Sequence, residues 1–125
     1  MSAGPRAVVA AHGDLAAGLV SAVETIAGRG DRLVPLSNTG LAPAALDEAL
    51  RSALALSGAR IVFTDLPAGS WTMAAARVAR ADPGLVIVTG VALPTLLTFV
   101  CGSDLEEAVR RGREAMKLVE GRRDP

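Results

Sequence analysis

The 125-residue sequence contains one histidine, His12, in the run VVAAHGDLAAGLV, where an apolar stretch gives way to a helical pattern. Asp65 closes a second apolar stretch, and Ser70 follows it in the run TDLPAGSW. A carboxylate that accepts the Nδ1–H of an imidazole fixes the tautomer and leaves Nε2 as an unprotonated nucleophile. It also stabilises the positive charge that develops when Nε2 bonds to phosphorus or takes a proton. Asp65 can do this for His12. Gly69 lets the backbone approach closely, while the Ser70 hydroxyl and the N–H groups opening the next helix can donate to phosphoryl oxygens. Gly13, with no Cβ, leaves space around the ring. Such parts would build a phosphohistidine site that needs no metal and no cofactor.

Each residue also has a plainer reading. A lone histidine at a strand end can be a satisfied turn residue. Asp65 before Leu-Pro-Ala-Gly can organise a turn, and Ser70 can be an N-cap. Asp14 fits the cap of a helix beginning at Leu15. Trp71, the only tryptophan, either packs in the core or lies partly exposed at the rim, where it would contact a protein partner; we place it on the partner-binding rim. Cys101 reads as a small core residue, and Met73 and Met116 as gap fillers.

The elements that must position these groups follow from periodicity. Ala7–Ala11, Arg60–Thr64 and Leu85–Thr89 are apolar on both faces, as in parallel strands covered by helices on each side. Arg32–Leu36 is a weaker strand, and its Pro35 marks an edge or an end. Leu15 to Ala27 has Leu15, Leu19, Ala22, Val23 and Ile26 on one stripe and stops at Gly28. Ala44 to Leu56 turns Leu46, Leu50, Ala53 and Leu54 inward. Leu93-Pro94 opens a short apolar helix through Phe99, and Asp104 to Arg113 makes a charged helix after the cap candidate Ser103. Strand and helix alternate, which gives an α/β fold: one open, doubly wound, mainly parallel sheet with helices on both faces, over 1–125 as a single domain. In such sheets chemistry collects beyond the carboxyl ends of the strands, where His12, Asp65 and Ser70 converge.

Composition narrows the function classes. Half the residues are apolar, enough for one core without disulfides or metal. Thirteen basic residues balance thirteen acidic ones and aromatics make up 2%, a poor basis for nucleic-acid binding. One cysteine excludes an intrachain disulfide and suits a reducing compartment. The opening residues lack the apolar run of a signal peptide, and no segment reaches the roughly 20 apolar residues of a spanning helix, so we expect a cytoplasmic protein with no membrane insertion.

Four segments, in order, resemble the enzyme IIA components of the mannose family of the bacterial sugar phosphotransferase system. VVAAHGDLAAGLVSAVETIAG is similar to the family's opening strand, His-Gly and first helix. TDLPAGSWTMAAARVA resembles its aspartate, glycine-glycine-serine turn and alanine-rich helix. VTGVALPTLLTFV and DLEEAVRRGREAMKLV resemble the Gly-Val and Leu-Pro-x-Leu segment and the closing helix and strand. The resemblance implies that His12 is phosphorylated, that Asp65 is its hydrogen-bonded partner, and that Ser70 lies at the rim. It further implies a stoichiometric carrier that takes phosphate from the phosphocarrier HPr and passes it to a IIB protein or domain. A homodimer is also implied, with an exchanged, antiparallel last strand. Ala115 to Val119 should then be that strand, although periodicity alone runs the preceding helix on to about Val119.

The sequence departs from the family at two places: Ala68-Gly69-Ser70-Trp71 replaces Gly-Gly-Ser-Pro, and Ala92 stands where many members have asparagine. Both leave the sugar and the IIB partner unassigned. Other classes are weighed beside this one. A receiver domain would need an acidic cluster where His12-Gly13 stands. A hydrolase using Ser70, His12 and Asp65 lacks the second glycine of a nucleophile elbow and the chain order Ser, Asp, His. A regulatory phosphoacceptor module of the same fold, uncoupled from transport, is the third alternative.

Overall fold

All four apolar runs form strands in the computed structural model, which describes residues 6–121. Residues 1–5, where the sequence was read for a signal peptide, and 122–125, the end of the GRRDP tail, lie outside the described residues. Strands β1 (Ala7–Ala11), β2 (Leu33–Ser37), β3 (Ile61–Thr64) and β4 (Val86–Val88) pair in parallel in the order β2-β1-β3-β4. Val8 of β1 lies opposite Val34 on one side and Val62 on the other. Pro35 lies on β2, an edge strand, where a missing N–H need not interrupt a ladder.

Helices α1 (Leu15–Ala27), α2 (Pro43–Ser57), α3 (Ser70–Arg80), α4 (Leu93–Val100) and α5 (Leu105–Glu114) cover the sheet. Alternation along β1 divides the core into two layers. Val8 and Ala10 join Leu46, Leu50 and Leu54 of α2 and Trp71, Ala74, Ala75 and Val78 of α3. Ala7, Val9 and Ala11 join Ala16 and Val23 of α1, Leu96, Phe99 and Val100 of α4, and Ala108 of α5. Since β1 is fully buried on both faces, each of its valines contributes about 1.5–3 kcal/mol of transfer free energy. The strand whose tip carries His12 is therefore held by the whole core. No helix among the described residues is long and apolar enough to cross a membrane.

Three expectations change. The buried stripe of α1 is Ala16 and Val23 with Leu19 and Val20 partly covered, while Leu15 and Ile26 are exposed. Asp104, not Ser103, caps α5, its Oδ1 accepting the Glu107 N–H at 2.8 Å. The antiparallel last strand is absent among the described residues: α5 ends at Glu114 and residues 116–121 have no regular structure. A strand needs an edge to pair with, and residues 116–121 pair with none of the four strands. An extended helix also fails, because Met116, Leu118 and Val119 find nothing to bury them and stay 89%, 95% and 89% exposed.

Candidate functional site

The β1–β3 ladder ends at the pair Ala10 and Thr64, and side chains take over beyond it. The backbone N–H of His12 donates to Asp65 Oδ2 at 2.9 Å, and the same oxygen lies 2.8 Å from His12 Nδ1. One carboxylate oxygen thus holds both the backbone and the ring. An ionised carboxylate can only accept, so Nδ1 carries the proton and Nε2 of the neutral ring keeps its lone pair. Burial raises the Asp65 pKa, but the N–H and ring hydrogen bonds from His12 outweigh it and hold the carboxyl below its ordinary value. Asp65 Oδ1 is buried without a hydrogen-bond partner among the described residues. The His12 side chain is 44% exposed and that of Asp65 10%, so the ring faces solvent while its partner does not.

Ser70 is the first residue of α3 and not its cap; Gly69 occupies the cap position. Its Oγ is 3.4 Å from His12 Nε2. Gly69 suits the close approach, since a Cβ there would press on Leu66 Cβ at 3.1 Å and touch His12 Cε1 at 3.5 Å. The amino end of α3, with its unpaired N–H groups and positive dipole end, therefore abuts the imidazole. The turn between Asp65 and Ser70 is tied by hydroxyls: Thr72 Oγ1 donates to the Leu66 carbonyl at 2.6 Å, which leaves Thr64 Oγ1 as donor to Thr72 Oγ1, also at 2.6 Å.

Gly13 is needed for a different reason from the one its size implied. A Cβ would meet nothing within 4 Å, but the residue sits at φ +58°, the left-handed region that glycine enters freely. Asp14 stands at the cap position of α1 without a side-chain cap bond. Ala92 likewise opens α4 with no side chain to cap it.

Trp71 does not belong to the rim. It is fully buried, and its Nε1–H donates to the Ala11 carbonyl at 3.2 Å, so no partner can touch it. Its place follows from helical spacing with Ala74, Ala75 and Val78, which share its core layer. Cys101 is exposed and Met73 is 57% exposed, so neither is a core residue. One contact went unread in the sequence: Asn38, in the loop after β2, accepts the Gly13 N–H through Oδ1 at 3.1 Å. The polar run Ser37-Asn38-Thr39-Gly40 at a strand's carboxyl end was the available signal. A depression of about 680 Å³ lies elsewhere, lined by residues such as Thr89, Ala92, Thr95, Gly112 and Met116, whereas the His12 ring stands at the surface.

The family profile described as the PTS system fructose IIA component matches residues 6–115. The chain belongs to this family. It is a phosphotransfer component of the sugar phosphotransferase system, and the sequence resemblance to that family is borne out. No curated protein sequence matches the IIA chain. Among solved structures it is similar to the mannose/sorbose specific IIA subunit from Enterococcus faecalis, with TM-score 0.81 and 16% identity over 98% of this chain and 99% of that one. It is also similar to the PTS IIA protein associated with the fucose utilization operon from Streptococcus pneumoniae, with TM-score 0.81 and 25% identity over 94% and 96% of the two chains. The phosphotransferase system component EIIA from Streptococcus agalactiae superposes with TM-score 0.71 at 20% identity, covering 87% and 89%.

Proposed function

We propose that the protein, read as one domain over 1–125, carries a phosphoryl group on His12 between the phosphocarrier HPr and a IIB protein or domain. The observation that carries this reading is the single Asp65 oxygen that holds both the His12 N–H and Nδ1, which leaves the Nε2 lone pair unprotonated on an exposed ring. In the forward step the Nε2 lone pair attacks phosphorus, the bond from phosphorus to the donor's histidine nitrogen breaks, and that nitrogen keeps the electron pair. Asp65 stabilises the positive charge that appears on the His12 ring. Gly69 and Ser70 bring donors from the α3 amino end to the phosphoryl oxygens, and Gly13 supplies the left-handed corner that turns the ring outward. The transfer to IIB runs the same exchange with His12 as the leaving group. An exposed corner suits this role, because both donor and acceptor are side chains of other proteins and no small molecule need be enclosed.

The carrier would act in the cytoplasm, where the phosphocarrier is found, and as a homodimer. The exposed Met116, Leu118 and Val119, the open edge of β4 and the apolar groove that Met116 lines support exchange of the tail between copies. The test is incubation with phosphoenolpyruvate, enzyme I and HPr, read by intact mass. We expect a gain of one phosphoryl group that disappears in His12→Ala; modification of any other residue would overturn the assignment. A second reading deserves mention because Ser70 Oγ, His12 Nε2 and Asp65 lie in relay order. The 3.4 Å separation of Ser70 from Nε2 exceeds the roughly 2.6–3.2 Å expected of an activated nucleophile. Hydrolysis of activated esters that is lost in Ser70→Ala would favour it.

A further inference from the structure

Three side chains from three different elements capture the backbone at the tip of β1. Asp65 accepts the N–H of His12, Asn38 accepts the N–H of Gly13 at 3.1 Å, and Trp71 donates to the carbonyl of Ala11 at 3.2 Å. Asp65 belongs to the chemistry already described; the other two hydrogen-bond backbone and not the His12 ring. The last sheet pairs are Ala11 with Ser37 on one side and Ala10 with Thr64 on the other, so the ladders end at Ala11, and side chains add their holds on the backbone beyond it. Trp71 is the largest of the fully buried side chains and is packed against α2 and β1, so its N–H is a fixed point. Gly13, at φ +58°, is the most permissive residue of this corner; the Leu15 N–H holds the carbonyl side of the His12–Gly13 peptide at 3.2 Å, and Asn38 holds its N–H.

We infer that Trp71 and Asn38 are positioning residues that clamp the backbone before and after His12, and so set the distances from the ring to Asp65 and Ser70. The inference rests on the reading of His12 as phosphoryl acceptor for its consequence in rate, but not for its consequence in ring geometry. Without either clamp the His12 backbone shifts, its bonds to the Asp65 oxygen lengthen together, and the ring is no longer confined to the Nδ1–H tautomer.

The experiment compares wild type, Trp71→Phe and Asn38→Ala. Ring ¹⁵N shifts of His12 are measured in the unphosphorylated proteins, and single-turnover phosphorylation is measured from phospho-HPr and from phosphoramidate, a small donor that needs no docking surface. We expect each variant to show a mixture of ring tautomers. We also expect each to slow both donors by the same factor, roughly 10-fold, with half-saturation by phospho-HPr unchanged. An intact Nδ1–H tautomer with rates within roughly twofold of wild type would overturn the inference, as would slowing confined to phospho-HPr. Should Trp71→Phe fail to fold by circular dichroism, Asn38→Ala decides, because its side chain lies in a loop outside both core layers. If wild type takes no phosphoryl group from either donor, the function reading fails while the ring shifts still decide the clamp.

Discussion

Replacing Asp65 by Asn tests the charge at the site with little change of shape. The asparagine Oδ1 can take the place of the oxygen that accepts from the His12 N–H and Nδ1. Its amide nitrogen then falls where Asp65 Oδ1 is buried without a partner. What is lost is the negative charge facing a ring that turns positive as phosphorus bonds to Nε2. Opposite unit charges at about 4 Å are worth about 1 kcal/mol in water and about 4 kcal/mol at an effective dielectric of about 20. His12 is 44% exposed and Asp65 10%, so the pair lies between these limits. At about 1.4 kcal/mol per tenfold, phosphorylation of Asp65→Asn should slow by roughly 5- to 700-fold. Rapid-quench transfer from labelled phospho-HPr measures this directly, with a thermal melt to confirm that the fold is retained. A variant phosphorylated at close to the wild-type rate would refute the role given to the carboxylate.

Two further outcomes concern stability. The Asp65 carboxyl titrates below its ordinary value of 3.8, so its hydrogen bonds stabilise the fold above that value and are lost as pH falls through the depressed one. Wild type should therefore lose more stability than Asp65→Asn on acidification below about pH 4, measured by urea unfolding across pH; parallel curves would refute this. Asp47, Asp82 and Glu107, also lowered by their arginine partners, are common to both proteins and cancel in the difference. Gly112→Ala would ordinarily gain about 1 kcal/mol of helix propensity. Here the new Cβ would lie 1.8 Å from Thr95 Oγ1 and 2.9 Å from Thr95 Cβ, so a rotamer change cannot relieve it. Overpacking of about 1–3 kcal/mol should win, and a lower urea midpoint is expected; a more stable variant would contradict the packing of α5 on α4.

Three of the strands were legible because each is apolar on both faces, a pattern that fits a covered parallel sheet, and in the weaker fourth Pro35 marked an edge or an end. The histidine and aspartate were legible from their places at neighbouring strand ends. What escaped depended on contacts across the fold. Asn38 lies 25 residues from the Gly13 N–H it binds, and only the adjacency of β1 and β2 brings them together. Trp71 was placed at the rim because it follows Ser70, although a helix turns by 100° per residue and so points consecutive side chains in different directions. The tail illustrates another limit. Periodicity made Ala115 to Val119 helical and resemblance made it a strand, but neither forms without a surface to pack or pair on.

The burial of Trp71 also gives the protein an optical gauge. The chain has no tyrosine and this one tryptophan, so emission excited at the red edge of indole absorption comes from a single, dry ring. That ring is one hydrogen bond from the peptide that leads into His12. Its colour and brightness should follow the loading of the neighbouring imidazole in real time, without any dye.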